Sequence, residues 1–145
     1  PPSEAGSRAM SRDRRPGFWH ARGMEQRLSF VTFAVRDLER SRAFYVDGLG
    51  FRVTFEASED GHSGLMGLER GTIRITLDTR MDGHGRNACV SLQVFDTDAC
   101  YREWSPRVTT LRAPRNEDWG ARTFDLIDPA GNTLFVMGPL AEERR

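Results

Sequence analysis

The chain has 145 residues, room for one domain with its own core. Hydrophobic residues are 38% and charged residues 29%, with no apolar run near the ~18 residues of a membrane span, so disordered, collagen-like, disulfide-scaffold and helical membrane classes are excluded. The formal charge is zero but uneven: residues 1–27 carry six Arg against three acidic side chains, whereas residues 28–138 carry 13 Arg against 16, a net of −3 that argues against a nucleic-acid-binding domain.

Residues 1–27 are rich in Arg, Ser, Gly and Pro, show no period, and read as a flexible N-terminal extension. Met24 stands just before the first strand, and the pair Phe18 and Trp19 is the one feature of the extension that could dock. No apolar stretch there suggests a secretory signal. From Leu28 to Val35 the pattern is β, with Val31, Phe33 and Val35 on one face. Asp37 reads as an N-cap for a helix carrying Leu38, Ser41, Phe44 and Tyr45, ended by Gly48 and Gly50. Strands follow at Phe51–Phe55, at Leu65–Leu68 after a polar loop, and at Ile73, Ile75 and Leu77. Half one, residues 28–78, therefore reads β-α-β-β-β.

Half two, residues 88–138, repeats that order after the Gly-rich loop at 81–87. Val90, Leu92 and Val94 form a strand, Asp96–Val108 a helix with Tyr101 and Trp104, and Val108–Leu111 a short strand. Arg112–Trp119 reads as a polar loop, and Arg122–Ile127 as a strand with Phe124 and Leu126 on one face. Asp128-Pro129-Ala130-Gly131-Asn132 is a turn, because Pro presets φ and Gly supplies φ > 0. Leu134 and Val136 mark the last strand, and residues 139–145 a C-terminal tail. The expected class is α+β: two tandem βαβββ modules forming a curled mixed sheet around a cleft in a single domain, residues 28–138.

Strand parity assigns the faces. Val31, Phe33, Val35, Ile73, Ile75, Val90, Leu92, Val94, Leu134 and Val136 pack under the helices. The opposite face carries Phe30, Thr32, Ala34, Arg74, Thr76, Cys89, Ser91, Gln93, Thr123, Asp125, Phe135 and Met137. Two aromatics, several hydroxyls and amides, one Arg and one Asp suit a planar, partly polar small molecule. Trp119 is either a stacking platform at the mouth of that cleft or a plug for the sheet end. Trp104 reads as core, and Phe51 and Phe55 more as core than as ligand wall. Cys89 and Cys100 form no metal motif and are expected to be reduced, as in the cytoplasm. His20, His62 and His84 fall in the extension and loops. Glu56 and Asp125 are the acidic side chains suited to cavity work.

The segments Val35-Arg36-Asp37-Leu38-Glu39-Arg40-Ser41, Phe44-Tyr45 and Leu49-Gly50-Phe51 resemble the opening of the vicinal oxygen chelate superfamily of glyoxalases, extradiol dioxygenases and drug-resistance proteins. Tyr101-Arg102-Glu103-Trp104, Trp119-Gly120-Ala121-Arg122 and Asp128-Pro129-Ala130-Gly131-Asn132 are similar, more narrowly, to its bleomycin-resistance branch. The resemblance covers about Leu28–Met137. It implies four ligand positions in the metal enzymes, which fall here on Phe30, on Arg74 or Thr76, on Cys89 and on Phe135. Phe offers no lone pair and Arg is a fixed cation, so no metal, no cofactor and no catalytic residue are expected.

The resemblance further implies a homodimer with grooves at the interface, often with the first strand exchanged, and it places Trp119 at a groove mouth. Two departures stand out. Bleomycin binders often carry a Trp on the fifth strand where this chain has Ser91, and they are strongly acidic. The expected function is a metal-free, antibiotic-sequestering resistance protein. Its partner is a flat aromatic natural product that can be cationic, held by Phe30, Thr32, Phe55, Arg74, Ser91, Gln93, Trp119, Asp125 and Phe135. Neither nucleic acid nor membrane is expected as a partner. The alternatives are a metal-dependent glyoxalase-, dioxygenase- or thiol-transferase-like enzyme of the same fold, and a ligand-binding accessory protein of a biosynthetic cluster.

Overall fold

The computed structural model describes Gln26, residues 28–81 and residues 87–143. Phe18, Trp19, His20, Met24, His84 and the end of the tail lie outside the described residues. The elements are β1 (Val31–Ala34), α1 (Leu38–Arg42), β2 (Arg52–Ala57), β3 (Leu65–Arg70), β4 (Ile73–Asp78), β5 (Cys89–Gln93), α2 (Thr97–Trp104), β6 (Arg115–Asn116), β7 (Ala121–Ile127) and β8 (Thr133–Pro139). They form two mixed four-stranded sheets, in the orders β1-β4-β3-β2 and β5-β8-β7-β6. In each, the module's first strand pairs in parallel with its last, and the remaining pairs are antiparallel. The fold is α+β and the βαβββ module occurs twice.

Local chemistry sets the helix starts. Asp37 Oδ1 accepts from the Glu39 amide at 3.0 Å, and Asp96 Oδ1 accepts from the Ala99 amide at 3.0 Å. After α1 the chain widens into a π-helical turn over Ala43–Gly48, which closes when Leu49 N donates to Phe44 O at 3.0 Å. That wider turn buries Phe44 and Tyr45 side by side, with the rings edge-on at 4.9 Å. Gly48 is required there, because a Cβ would lie 2.3 Å from Val108 Cγ1.

Two expectations in half two are corrected. The helix ends at Trp104 rather than Val108, because Pro106 has no amide to continue the ladder and tight turns over Ser105–Val108 replace it. No strand forms at Val108–Leu111; Thr110 makes one isolated bridge to Leu126. Pro114 interrupts the pairing, which resumes in β6, inside the stretch expected to be a loop.

Both sheets pack on one core. Phe33, Leu38, Tyr45, Leu49, Met66, Leu68, Ile75 and Leu77 from the first module join Leu92, Trp104, Phe124, Leu126, Leu134 and Val136 from the second. Each sheet turns one face to that core and leaves the other face free of it. The modules are also joined by a buried polar knot. Asp128 accepts from Tyr45 Oη at 2.8 Å, from Asn132 Nδ2 at 3.1 Å, and from the amides of Ala130 and Asn132 at 2.9 and 2.8 Å. Asn132 Nδ2 donates as well to Ala34 O at 3.0 Å, and its Oδ1 accepts from the Ala88 amide at 3.0 Å. The turn motif of half two thus reaches a strand and a helix of half one.

Candidate functional site

The outer face of the first sheet holds a cavity of about 520 Å³, lined by Phe30, Thr32, Thr54, Phe55, Arg74 and Thr76 among others. Four of the sequence-predicted residues meet there: Phe30, Thr32, Phe55 and Arg74. A register shift between Val53 and Phe55 breaks the strict alternation of β2, so that Thr54 and Phe55 both line the cavity. Gly67 on β3 makes room for the Phe55 ring, since a Cβ there would stand 2.3 Å from Phe55 Cε1. Phe55 therefore lies on bare backbone while 47% of it stays exposed, and Phe30, from the other side of the sheet, is 52% exposed. Phe55 is no core residue, contrary to the reading from hydrophobicity alone.

A charged row crosses the same sheet. Glu69 on β3 pairs with Arg52 on β2 at 2.6 Å and with Arg74 Nε on β4 at 3.3 Å. Glu56, expected as a cavity acid, is instead paired with Arg42. Beyond the sheet edge His62 Nδ1 meets Asp37 Oδ1 at 2.9 Å; this pairing raises the imidazole pKa and lowers that of the carboxyl.

The outer face of the second sheet carries Ser91 and Gln93, both exposed, with Phe135 and Asp125 half-buried beside them. Ser91 and Asp125 are both register partners of Phe135, so the three form one row across β5, β8 and β7. Two residues missed from sequence dominate this face. Arg112 donates to Thr123 O and Oγ1 at 2.6 and 2.7 Å and reaches Asp125 Oδ1 at 3.4 Å. Glu117 accepts from Thr123 Oγ1 at 2.7 Å and from Arg115 Nε at 3.0 Å, and these two donors hold its carboxyl below the usual range. The pair buries Thr123 completely, although parity had placed it open to the cleft; Ala34 is likewise buried. Trp119 stands at the tip of the β6–β7 turn and is 60% exposed.

One chain therefore does not gather the predicted site into one cavity. Phe30, Thr32, Phe55 and Arg74 line the first sheet, while Ser91, Gln93, Asp125, Phe135 and Trp119 belong to the second module, none of them lining that cavity. The positions expected to correspond to the family's metal ligands are Phe30, Arg74 or Thr76, Cys89 and Phe135. Phe30, Arg74 and Thr76 share the cavity and Cys89 is exposed on the other sheet, so this set offers one thiol, at most one hydroxyl, and no imidazole or carboxylate. Among the described residues, no group of three or more His, Cys, Asp or Glu side chains could hold a metal ion. None of their helices is long and apolar enough to cross a membrane.

Comparison with known proteins places this geometry. Among curated proteins no sequence matches the chain. Solved structures do match. A bleomycin-binding protein from bleomycin-producing Streptomyces verticillus, solved with copper(II)-bleomycin, is 26% identical with a TM-score of 0.64, over 81% of this chain and 100% of that one. A glyoxalase/bleomycin resistance protein/dioxygenase superfamily member from Sphaerobacter thermophilus is also 26% identical with a TM-score of 0.64, over 78% of this chain and 98% of that one. A bleomycin resistance determinant encoded on the transposon Tn5 shares the fold, at 23% identity and a TM-score of 0.63, over 79% of this chain and 98% of that one. The profile of the Glyoxalase/Bleomycin resistance protein/Dioxygenase superfamily matches residues 27–136. With both modules and most of the chain so matched, the protein belongs to the glyoxalase/bleomycin resistance protein/dioxygenase superfamily.

Proposed function

We propose that the protein binds a flat cytotoxic natural product without a metal and protects by stoichiometric sequestration. The observation that carries this reading is a cavity flanked by two half-exposed phenyl rings, Phe30 and Phe55, one of them at a position where metal enzymes of this fold need a donor. The Phe55 ring, seated on Gly67 and half exposed, offers an aromatic surface for stacking on a flat ligand. The Streptomyces verticillus relative binds bleomycin, and its likeness favours a binder over an enzyme. The test is a thermal-shift screen against bleomycin and other cytotoxic natural products, since a ligand at 100 times its Kd stabilises by ~2.7 kcal/mol. Absence of any shift across the panel, with turnover of a glyoxalase or dioxygenase substrate, overturns the reading. Elemental analysis is expected to find no stoichiometric divalent metal. About one Zn, Ni, Mn or Fe per chain, lost together with ligand binding on chelation, would favour the enzyme.

The working unit in this reading is a homodimer. The candidate residues fall on two sheets and only those of the first line its cavity, so the second sheet of another copy, laid over the first, would close a groove. Phe30, Phe55, Phe95, Leu111 and Trp119 stand exposed on the isolated chain, and both sheets have open edges. Light scattering at micromolar concentration is expected to give twice the chain mass. A monomer there would remove the interfacial groove.

A further inference from the structure

We propose that Arg74 is the anion-recognition group of the first-sheet cavity, and that the ligand is a flat aromatic bearing a carboxylate or comparable acidic oxygen group. The inference rests on the binding role above and specifies its ligand class.

Arg74 stands in a cross-strand row of alternating sign, Arg52–Glu69–Arg74. Two cations flank one carboxylate, so the row keeps one unmatched positive charge. The contacts place that charge. Arg52 approaches Glu69 Oε1 at 2.6 Å, whereas Arg74 reaches Oε2 with Nε alone, at 3.3 Å. Among the described residues, its two Nη nitrogens have no partner, and 62% of the side chain is exposed. A guanidinium held through Nε keeps its outer edge free for a bidentate carboxylate. Glu69 is 24% exposed, so it anchors Arg74 from the wall without covering it.

The surroundings fit the rest of such a ligand. Thr32 and Thr76 are register partners in β1 and β4, next to Arg74, and offer hydroxyls. Phe30 and Phe55 rise from opposite edges of the sheet, whose outer strands lie about 14 Å apart, and the Phe55 ring reaches inward over Gly67 on β3. The face between them takes a flat ring with its acidic substituent on Arg74. Asp78, the other acid lining this cavity, is engaged by Arg80, whose amide donates to it at 2.8 Å. On the second sheet, Glu117 and Asp125 are matched by Arg115 and Arg112. A cationic drug would therefore meet a like charge in this cavity.

The test uses three probes with the same ring and point of attachment: naphthoate, naphthamide and naphthylmethylammonium. Affinities are measured by calorimetry on the full chain. Naphthoate is expected to bind roughly 10- to 100-fold tighter than naphthamide, the usual worth of a hydrogen bond to a charged group, and to weaken with salt. Arg74→Gln should weaken naphthoate far more than naphthamide and bring the two affinities together. Arg74→Lys should fall between, because it keeps the charge and loses the fork. Glu69→Gln, which frees Arg74 from its anchor, should change naphthoate affinity but not naphthamide affinity. Equal binding of naphthoate and naphthamide, an unchanged ratio in Arg74→Gln, or tighter binding of the ammonium probe each overturns the proposal while leaving a ring-binding cavity intact. Failure of all three probes overturns it too, and sequestration is then decided by the natural-product screen.

Discussion

Asp128→Ala is expected to cost ~3–5 kcal/mol of stability, because each buried donor left without a partner costs ~1–3 kcal/mol and four donors converge on this carboxylate. The Tyr45 hydroxyl and the Asn132 amide are the decisive two, since both are fully buried. The loss should be cooperative, because the knot ties the β7–β8 turn to α1's π-helical extension and to β1. Equilibrium denaturation measures it. Tyr45→Phe is the milder companion, removing one donor and expected to cost ~1 kcal/mol. It also carries a pH signature. Burial, then the negative charge of Asp128, push the Tyr45 phenol well above its ordinary value. The folded state therefore holds that proton more tightly than the unfolded chain, which loses it near pH ~10. The stabilisation is complete below that pH and is lost as pH rises beyond it. Wild-type stability should fall more steeply above pH ~10 than that of Tyr45→Phe. An Asp128→Ala protein within ~0.5 kcal/mol of wild type would show that the two modules do not depend on this knot.

The knot also illustrates what the sequence disclosed. Asp128-Pro-Ala-Gly-Asn132 was legible as a turn, because Pro and Gly prescribe local dihedrals. Its second role was not, because Tyr45 and Ala34 lie in the other module and no local pattern ties them to it. The same division runs through the fold. Alternation over Val31–Val35, Ile73–Leu77 and Val90–Val94 located strands and their buried faces, since each face meets a single environment. Alternation failed at Thr123, where two long polar side chains from a neighbouring loop bury a residue on the open face. β6 was invisible for a related reason. It consists of Arg115 and Asn116, and an ion pair of Arg115 with Glu117 and a hydrogen bond from Arg122, itself paired with Asp98, to Asn116 Oδ1 support it in place of apolar packing. At the candidate site, parity found Phe30, Thr32 and Arg74 on one face. It could not show that Gly67 seats Phe55, because that depends on a bulge one strand away. Nor could parity tell that the candidate residues divide between two sheets, with only the first set lining the cavity.

Trp119→Ala is expected to weaken binding of a flat aromatic ligand by ~1–3 kcal/mol, about 5- to 150-fold, as truncation of an aromatic anchor does. Its effect on stability should stay within ~0.5 kcal/mol, because a side chain 60% exposed at a turn tip contributes little to the core. The backbone beneath it is independently fixed: Glu117 N donates to Ala121 O at 2.7 Å, Gly120 N donates to Glu117 O at 3.1 Å, and Gly120 takes the positive φ of 96°. Truncation should therefore leave the turn in place. These numbers separate two roles that the sequence left open. A plug for the sheet end would have lost ~3–5 kcal/mol, as core Trp truncation does; Trp104, fully packed against Phe124 and under Arg70, is the residue where that larger loss belongs. A third role, contact between copies, is resolved by measuring affinity and mass on the same sample. If Trp119 stacks on ligand, the variant remains a dimer and binds weakly. If it only joins copies, the variant dissociates, and affinity recovers at concentrations that restore the dimer. Intrinsic fluorescence adds a direct readout, because an aromatic ligand stacked on Trp119 quenches its emission and Trp104 stays shielded in the core. A variant that keeps full affinity and full quenching would remove Trp119 from the site.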